Sequence, residues 1–223
     1  MSELENRLER LTLRLDRMGM RAEQAVIDAL AAAEKGDVEA GKEIYESDSV
    51  IDQEEVEIEQ ECIRLLALYQ PAAIDLRTIC TIIKVNNDLE RIADKGARIG
   101  RSVKRLVDYR LDLAGDDEFI RLRRDTLEML ARTSRLLSTR EVATARAILE
   151  TDHIIDEDHR AFVRSALHTK SKTLGMEAAW TLINVARALE RIGDLCANIA
   201  EDIIFLRTGD IVRHSETLGD IRP

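Results

Sequence analysis

Apolar residues recur along this chain in alternating steps of four and three. From Leu4 they run Leu8, Leu11, Leu15, Met18, Ala22, Ala25, Ala29 and Ala32, the seam of a long helix that packs on one side. The pattern stops near Gly36, where Asp37 is placed to cap a second helix that reaches Tyr69 before Pro71 punctuates. A third helix is predicted from about residue 72 or 75 to 106, followed by a polar stretch holding Leu113, Gly115, Asp116 and Asp117. Beyond it the periodicity predicts three more helices, near 118–138, 141–170 and 175–206, and the tail from Arg207 has none.

The two halves are related. A shift of 104 residues aligns Val38 with Val142, Ile44 with Ile148, Glu46 with Glu150, Asp48 with Asp152, Ile51 with Ile155 and Asp52 with Asp156. A shift of 100 aligns Thr81, Ile83, Val85, Leu89, Glu90, Arg91, Ile92, Asp94, Ala97 and Ile99 with identical residues in the second half. A period that long is not a solenoid unit, so the expected fold is all-α: two tandem antiparallel three-helix bundles, residues 1–112 and 116–208, with 209–223 as a C-terminal tail.

Acids interrupt the apolar seams. In the second helix the stripe reads Ile44, Asp48, Ile51, Glu55, Ile58, Cys62, Leu65, Tyr69, and its repeat reads Ile148, Asp152, Ile155, His159, Phe162, Ala166. His159 thus stands where Glu55 stands, and a carboxylate and an imidazole share ligand chemistry more than they share packing. The third helices place Glu90 and Glu190 mid-seam, with Asp94 and Asp194 four residues on and on nearly the same face. Each half therefore offers an Asp-x-x-x-Asp (Asp48 with Asp52, Asp152 with Asp156) and a Glu-x-x-x-Asp that antiparallel packing brings together at mid-height. Carboxylates so close repel unless they take up protons or a cation, and hard oxygen donors suit iron, manganese, magnesium or zinc. The competing reading is a salt-bridged solvated edge; four acid pairs in duplicated register count against it.

The chain has 223 residues and a formal net charge of -10, which disfavours nucleic-acid binding through counterion release. Residues 34–61 hold twelve acids against Lys35 and Lys42, so the excess charge lies in the second helix. Glu54, Glu57, Glu59 and Glu61 are expected on its outer face, solvated and able to steer a basic partner. The basic residues from Arg98 to Arg124 alternate with acids and read as a solvated bundle end. Three cysteines set in helical patterns fit a reduced, cytoplasmic setting, and neither a leader nor a membrane-spanning run is apparent. Glu150 and His153 form one Glu-x-x-His, whereas ferritin-like di-iron sites need two on different helices. His168 and His214 read as ordinary polar residues near helix ends. No phosphate-cradling Gly-rich loop, Ser-His-Asp set or Cys-x-x-Cys is present.

The segment Pro71-Ala-Ala-Ile-Asp-Leu-Arg77, the runs Leu89-Glu-Arg-Ile-Ala-Asp94 and Leu189-Glu-Arg-Ile-Gly-Asp194, and the ending from Ile204 to His214 resemble the PhoU family of phosphate-transport regulators. The resemblance spans nearly the whole chain. It implies a cytoplasmic, usually dimeric protein that couples a phosphate ABC transporter, through its ATPase subunit, to a phosphate-sensing histidine kinase and keeps the phosphate-starvation regulon off when phosphate is plentiful. It also implies metal, iron or zinc with manganese or magnesium as further choices, at Glu90, Asp94, Glu190 and Asp194, faced by Asp48, Asp52, Asp152 and Asp156. Ala93 opposite Gly193 and His159 opposite Glu55 imply that metal content differs between the halves. A carboxylate-bridged metal oxidase or storage bundle, and a structural adaptor whose acids bind nothing, remain as alternatives.

Overall fold

The computed structural model describes residues 2–47 and 49–212. Helix α1 (Glu3–Lys35) opens on a reciprocal cap: the Glu5 amide donates to Ser2 Oγ at 3.1 Å and the Ser2 amide to Glu5 Oε2 at 2.7 Å. It ends at Gly36, whose φ of 66° is left-handed, and Asp37 Oδ1 accepts from the Ala40 amide at 3.0 Å to start α2 (Val38–Glu46). Then follow α3 (Ser49–Tyr69), α4 (Ala73–Asp108), α5 (Asp117–Thr139), α6 (Val142–Ser165), a π-helical turn (Ala166–Lys170), the short α7 (Ser171–Leu174) and α8 (Met176–Thr208). The all-α fold is as the periodicity predicts.

Two boundaries differ from the sequence expectation. The continuous second helix is two helices, α2 and α3, with Ser47 at the join donating its hydroxyl to the Ile44 carbonyl at 3.0 Å. Ser47 carries a hydroxyl that competes for backbone hydrogen bonds, while the apolar stripe passes from Ile44 to Ile51 without a flaw and so hides the join. In the second half the helix does not stop near Lys170; it loosens into the π turn and continues to Leu174.

Helices α1 and α4 pack along their lengths with α2 and α3 against α4, and α5, α6 and α8 form the equivalent bundle. The bundles join where α4 lies against α8, with α1 against α5 beside them, and one apolar core runs through both halves. The join explains why α8 is buried on more than one side: Ile183, Val185, Leu189, Ile192, Cys196, Ile199 and Ile203 are all enclosed. At 33 to 36 residues these helices are roughly 50 Å long. Backbones approach most closely at Gly41 and Gly100: a Cβ on Gly41 would lie 2.6 Å from the Gly100 carbonyl oxygen.

The α3 acids are not merely solvated, which corrects the expectation for that face. Glu54 is held by Arg21 at 2.5 Å and by Arg14 at 3.8 Å, Glu57 by Arg14 at 2.9 Å, and Glu61 by Arg7 at 3.2 Å. These acids fasten α3 to α1, because α1 carries its arginines at helical spacing along the flank that α3 covers. Of the four, Glu59 keeps the role foreseen for the group, exposed and without an ion pair among the described residues.

Candidate metal centre

Antiparallel packing of α6 against α8 sets their acids face to face. Asp156 from α6 and Glu190 and Asp194 from α8 each offer a carboxylate oxygen, and these oxygens lie within 4.8 Å of one another. One turn before Asp156, Asp152 turns toward the same place; its Oδ1 would lie 3.7 Å from a Cβ on Gly193, so the missing side chain at 193 lets α6 carry this acid close to the α8 backbone. Burial raises the pKa of Asp152, and the charges of Asp194 and Asp156 raise it further. Glu190 is raised by burial and then by Asp194, with Arg191 opposing. Both shifts come first from burial, and the neighbouring carboxylates add to it.

The neutralisation present is local and peripheral. Arg191 holds Asp194 at 2.6 Å and reaches Glu190 at 3.8 Å, and Arg160 holds Asp156 at 2.8 Å from the solvent side. His159 sits next to the acids: burial lowers its pKa below the usual imidazole range while Asp156 pulls the other way. Its Nε2 is buried without a hydrogen-bond partner among the described residues. The three hard carboxylates fit a divalent or trivalent cation, with Asp152 as a further oxygen donor. Asp152, Asp156, Glu190 and Asp194 would hold such an ion, with His159 alongside.

The first half is different. Asp94 is clasped by Lys95 at 2.7 Å and Arg98 at 2.9 Å; burial opposes ionisation there, but these two cations outweigh it and hold the carboxyl below its ordinary range. The second half has Leu195 and Asn198 at the matching positions, so its acids lack those cations. Glu90 is half-buried on α4, Asp52 is exposed, and Asp48 lies outside the described residues. Glu55 is half-buried, its pKa raised by burial and then by Glu59 and Asp52, while Asn86 Nδ2 donates to its backbone carbonyl at 2.9 Å. Among the described residues the structure thus gathers Asp156, Glu190 and Asp194, with Asp152 and His159 beside them. It does not gather Asp52, Glu55, Glu90 and Asp94 into an equivalent set.

Sequence reasoning passed over the cations. Lys95, Arg98 and Arg191 decide which acids are paired, and the 100-residue shift already set Lys95 against Leu195 and Arg98 against Asn198. It also missed a carboxyl pair on the other flank of α6, where Asp125 and Asp158 share a hydrogen bond. Glu150 and His153 are both exposed, although the His153 charge reaches Asp152 and opposes the rise in its pKa.

The PhoU domain matches this chain twice, over residues 15–103 and 119–203, one match per bundle. The chain belongs to the PhoU family. Among its curated relatives, the phosphate-specific transport system accessory protein PhoU of Serratia marcescens is 32% identical over 209 residues, covering 93% of this chain and 85% of that protein. A PhoU homolog from Pseudomonas putida is 33% identical over 215 residues, 93% of this chain and 81% of that one. The crystal structure of the phosphate transport system regulatory protein PhoU from Streptococcus pneumoniae superposes with a TM-score of 0.87 at 27% identity, over 94% of this chain and 99% of that chain. PhoU from Pseudomonas aeruginosa gives 0.85 at 29% identity, over 93% and 100%. The doubled Glu-Arg-Ile-x-Asp is therefore a feature of a tandem PhoU fold, one copy on α4 and one on α8.

Proposed function

We propose that the protein is a non-enzymatic regulator of phosphate uptake and phosphate-starvation signalling. It links the ATPase subunit of a phosphate ABC transporter to a phosphate-sensing histidine kinase in the cytoplasm and represses the phosphate regulon when phosphate is plentiful. The observation that carries this reading is the match of both bundles to the PhoU domain, together with near full-length similarity to proteins named as phosphate-transport accessory and regulatory proteins. Two features are compatible with it: among the described residues no helix is long and apolar enough to cross a membrane, and long helix faces remain exposed for protein contacts, with Leu13 and Met20 on α1 and Ile63 and Leu68 on α3. The working form is a homodimer.

A metal ion, iron or zinc before manganese or magnesium, binds between α6 and α8. Its support is the gathering of carboxylate oxygens from Asp156, Glu190 and Asp194 within 4.8 Å of one another. The oxidase alternative needs two Glu-x-x-His on different helices, and the sequence holds one, Glu150 with His153. The regulatory reading is tested by deleting the gene. Phosphate-starvation genes should then be expressed in high phosphate, and a copy of the gene should restore repression; normal repression in the deletion strain overturns it. Affinity capture from phosphate-replete cells should recover a transporter ATPase and a histidine kinase.

A further inference from the structure

Between α4 and α8, on the seam that joins the bundles, lies a groove of about 410 Å³ with an unusual lining for so acidic a protein. Lys95 and Arg98 enter it from α4, and Arg187 and Arg191 from α8, with the Ser102 hydroxyl and Asn184 amide completing its polar wall. Ile99 and Ala188, both buried, contribute apolar surface. No carboxylate lines it, although the chain carries a net charge of -10. Acids beside the groove pair with three of these cations: Asp94 holds Lys95 and Arg98, and Asp194 holds Arg191, which also reaches Glu190 at 3.8 Å. Arg187 makes no ion pair among the described residues.

Asp94 is shared between Lys95 and Arg98, and Arg191 is paired with Asp194, so with the unpaired Arg187 the groove keeps a net positive charge that favours an anion. Guanidinium groups present planar donor forks that match the oxygens of a tetrahedral oxyanion, and an ammonium adds a point charge. The Lys95 side chain is only 18% exposed, so part of this positive charge is already removed from bulk water, where its attraction for an anion is stronger. The groove is bounded and partly apolar rather than a flat basic face, which suits a small ligand. We infer that this α4–α8 groove binds a phosphate-class oxyanion, either free inorganic phosphate or the phosphoryl group of a small phosphorylated metabolite, through Arg98, Arg187, Arg191 and Lys95.

The test is calorimetric titration of the full-length protein in metal-free, low-chloride buffer, so that neither a carboxylate-bound cation nor competing chloride governs the result. Inorganic phosphate and ATP serve as separate probes. Saturable binding of phosphate with no gain from ATP assigns the site to the free ion; tighter binding of ATP assigns it to a phosphoryl group on a larger molecule. In either case R98Q with R187Q should weaken binding at least tenfold, about 1.4 kcal/mol. R101Q with R105Q, on the same helix outside the groove, should leave affinity unchanged. Both replaced groove arginines are solvent-exposed, and circular dichroism should show an unchanged helical fold. No binding of either probe by the wild type at about 10 mM, far weaker than the roughly millimolar range in which such a site would matter, overturns the inference. So does equal affinity in the R98Q/R187Q protein.

Discussion

Replacing Glu190 with Gln should change stability in opposite directions with and without metal. Its carboxylate oxygen lies within 4.8 Å of oxygens on both Asp156 and Asp194. At an effective dielectric of 20 such a pair repels by roughly 3 kcal/mol. The side chains of Asp156, Asp194 and Glu190 are 39%, 34% and 20% exposed, so water screens much of this and about 1 kcal/mol per pair is a fair working value. Among the described residues Glu190 has one ion pair, a loose one with Arg191 at 3.8 Å, which offsets part of the gain. In chelator, Glu190→Gln should therefore be more stable than wild type by about 1–2 kcal/mol, raising Tm by roughly 2–8 °C for a chain of this size. With a divalent cation at about 100 times its Kd the wild type should gain about 2.7 kcal/mol, whereas the variant, short of one carboxylate ligand, should gain much less. The order of the two melting curves then inverts. Differential scanning calorimetry of both proteins, with chelator and with manganese or zinc, reads this directly. If the variant melts lower than wild type in chelator and gains as much from metal, the acids are ordinary surface charges and the centre is misassigned.

Gly41→Ala should lower Tm by about 2–12 °C, because the 2.6 Å contact with the Gly100 carbonyl forces α2 off α4 at a cost of ~1–3 kcal/mol beyond the helix-propensity gain of about 1 kcal/mol; a higher Tm in a thermal melt refutes the close-approach argument. Burial and the hydrogen bond with Asp125 raise the pKa of Asp158, so its contribution to stability is present below the unfolded carboxylate pKa and is lost as pH rises through the folded value. Asp158→Asn should accordingly help more at pH 7 than at pH 4 in urea melts, and a difference independent of pH counts against it. Burial pushes the thiols of Cys62 and Cys196 up to about 12, whereas Cys80 is partly exposed, so brief maleimide treatment of the native protein should label Cys80 alone. Mass mapping that finds Cys196 labelled would refute this.

The periodicity of apolar residues reports the helices well, because a four-three alternation has one geometric meaning and the duplication shows it twice. The join at Ser47 leaves no trace in that pattern, since Ile44 and Ile51 keep their phase across it. The fate of the α3 acids was likewise hidden. Whether Glu54 faces water or Arg21 depends on which flank of α1 meets α3, a tertiary choice that spacing within one helix does not encode. For the candidate centre, pattern supplied the acids and the repeat supplied their register. The repeat also held the reason the halves diverge, Lys95 and Arg98 against Leu195 and Asn198, but only after cations were counted along with acids. The basic groove was the least legible feature. Its four cations come from two helices that belong to different bundles, and nothing within either bundle's sequence shows how the two dock.

That docking puts Arg191 between two sites. It holds Asp194 at 2.6 Å, inside the acidic cluster, and it also lines the groove where Arg98 and Arg187 lie. A cation ligated by Asp194 and Glu190 competes with Arg191 for the same oxygens and cancels their negative charge as seen from the groove. The freed guanidinium and the lost negative charge both strengthen attraction for an oxyanion. Metal and oxyanion should therefore bind with positive cooperativity, and by linkage the factor must be the same in both directions. A coupling of about 1 kcal/mol, near the low end for such effects, corresponds to roughly a fivefold change in Kd. Calorimetric titration of phosphate into metal-free and metal-saturated protein should show tighter binding in the latter, with solution complexation of the metal by phosphate measured in parallel and subtracted. Arg191→Gln should reduce the coupling more than it reduces metal affinity, because the variant has no guanidinium to release. Equal phosphate affinity in the two metal states, or undiminished coupling in Arg191→Gln, would show that the carboxylate cluster and the groove are neighbours without being linked.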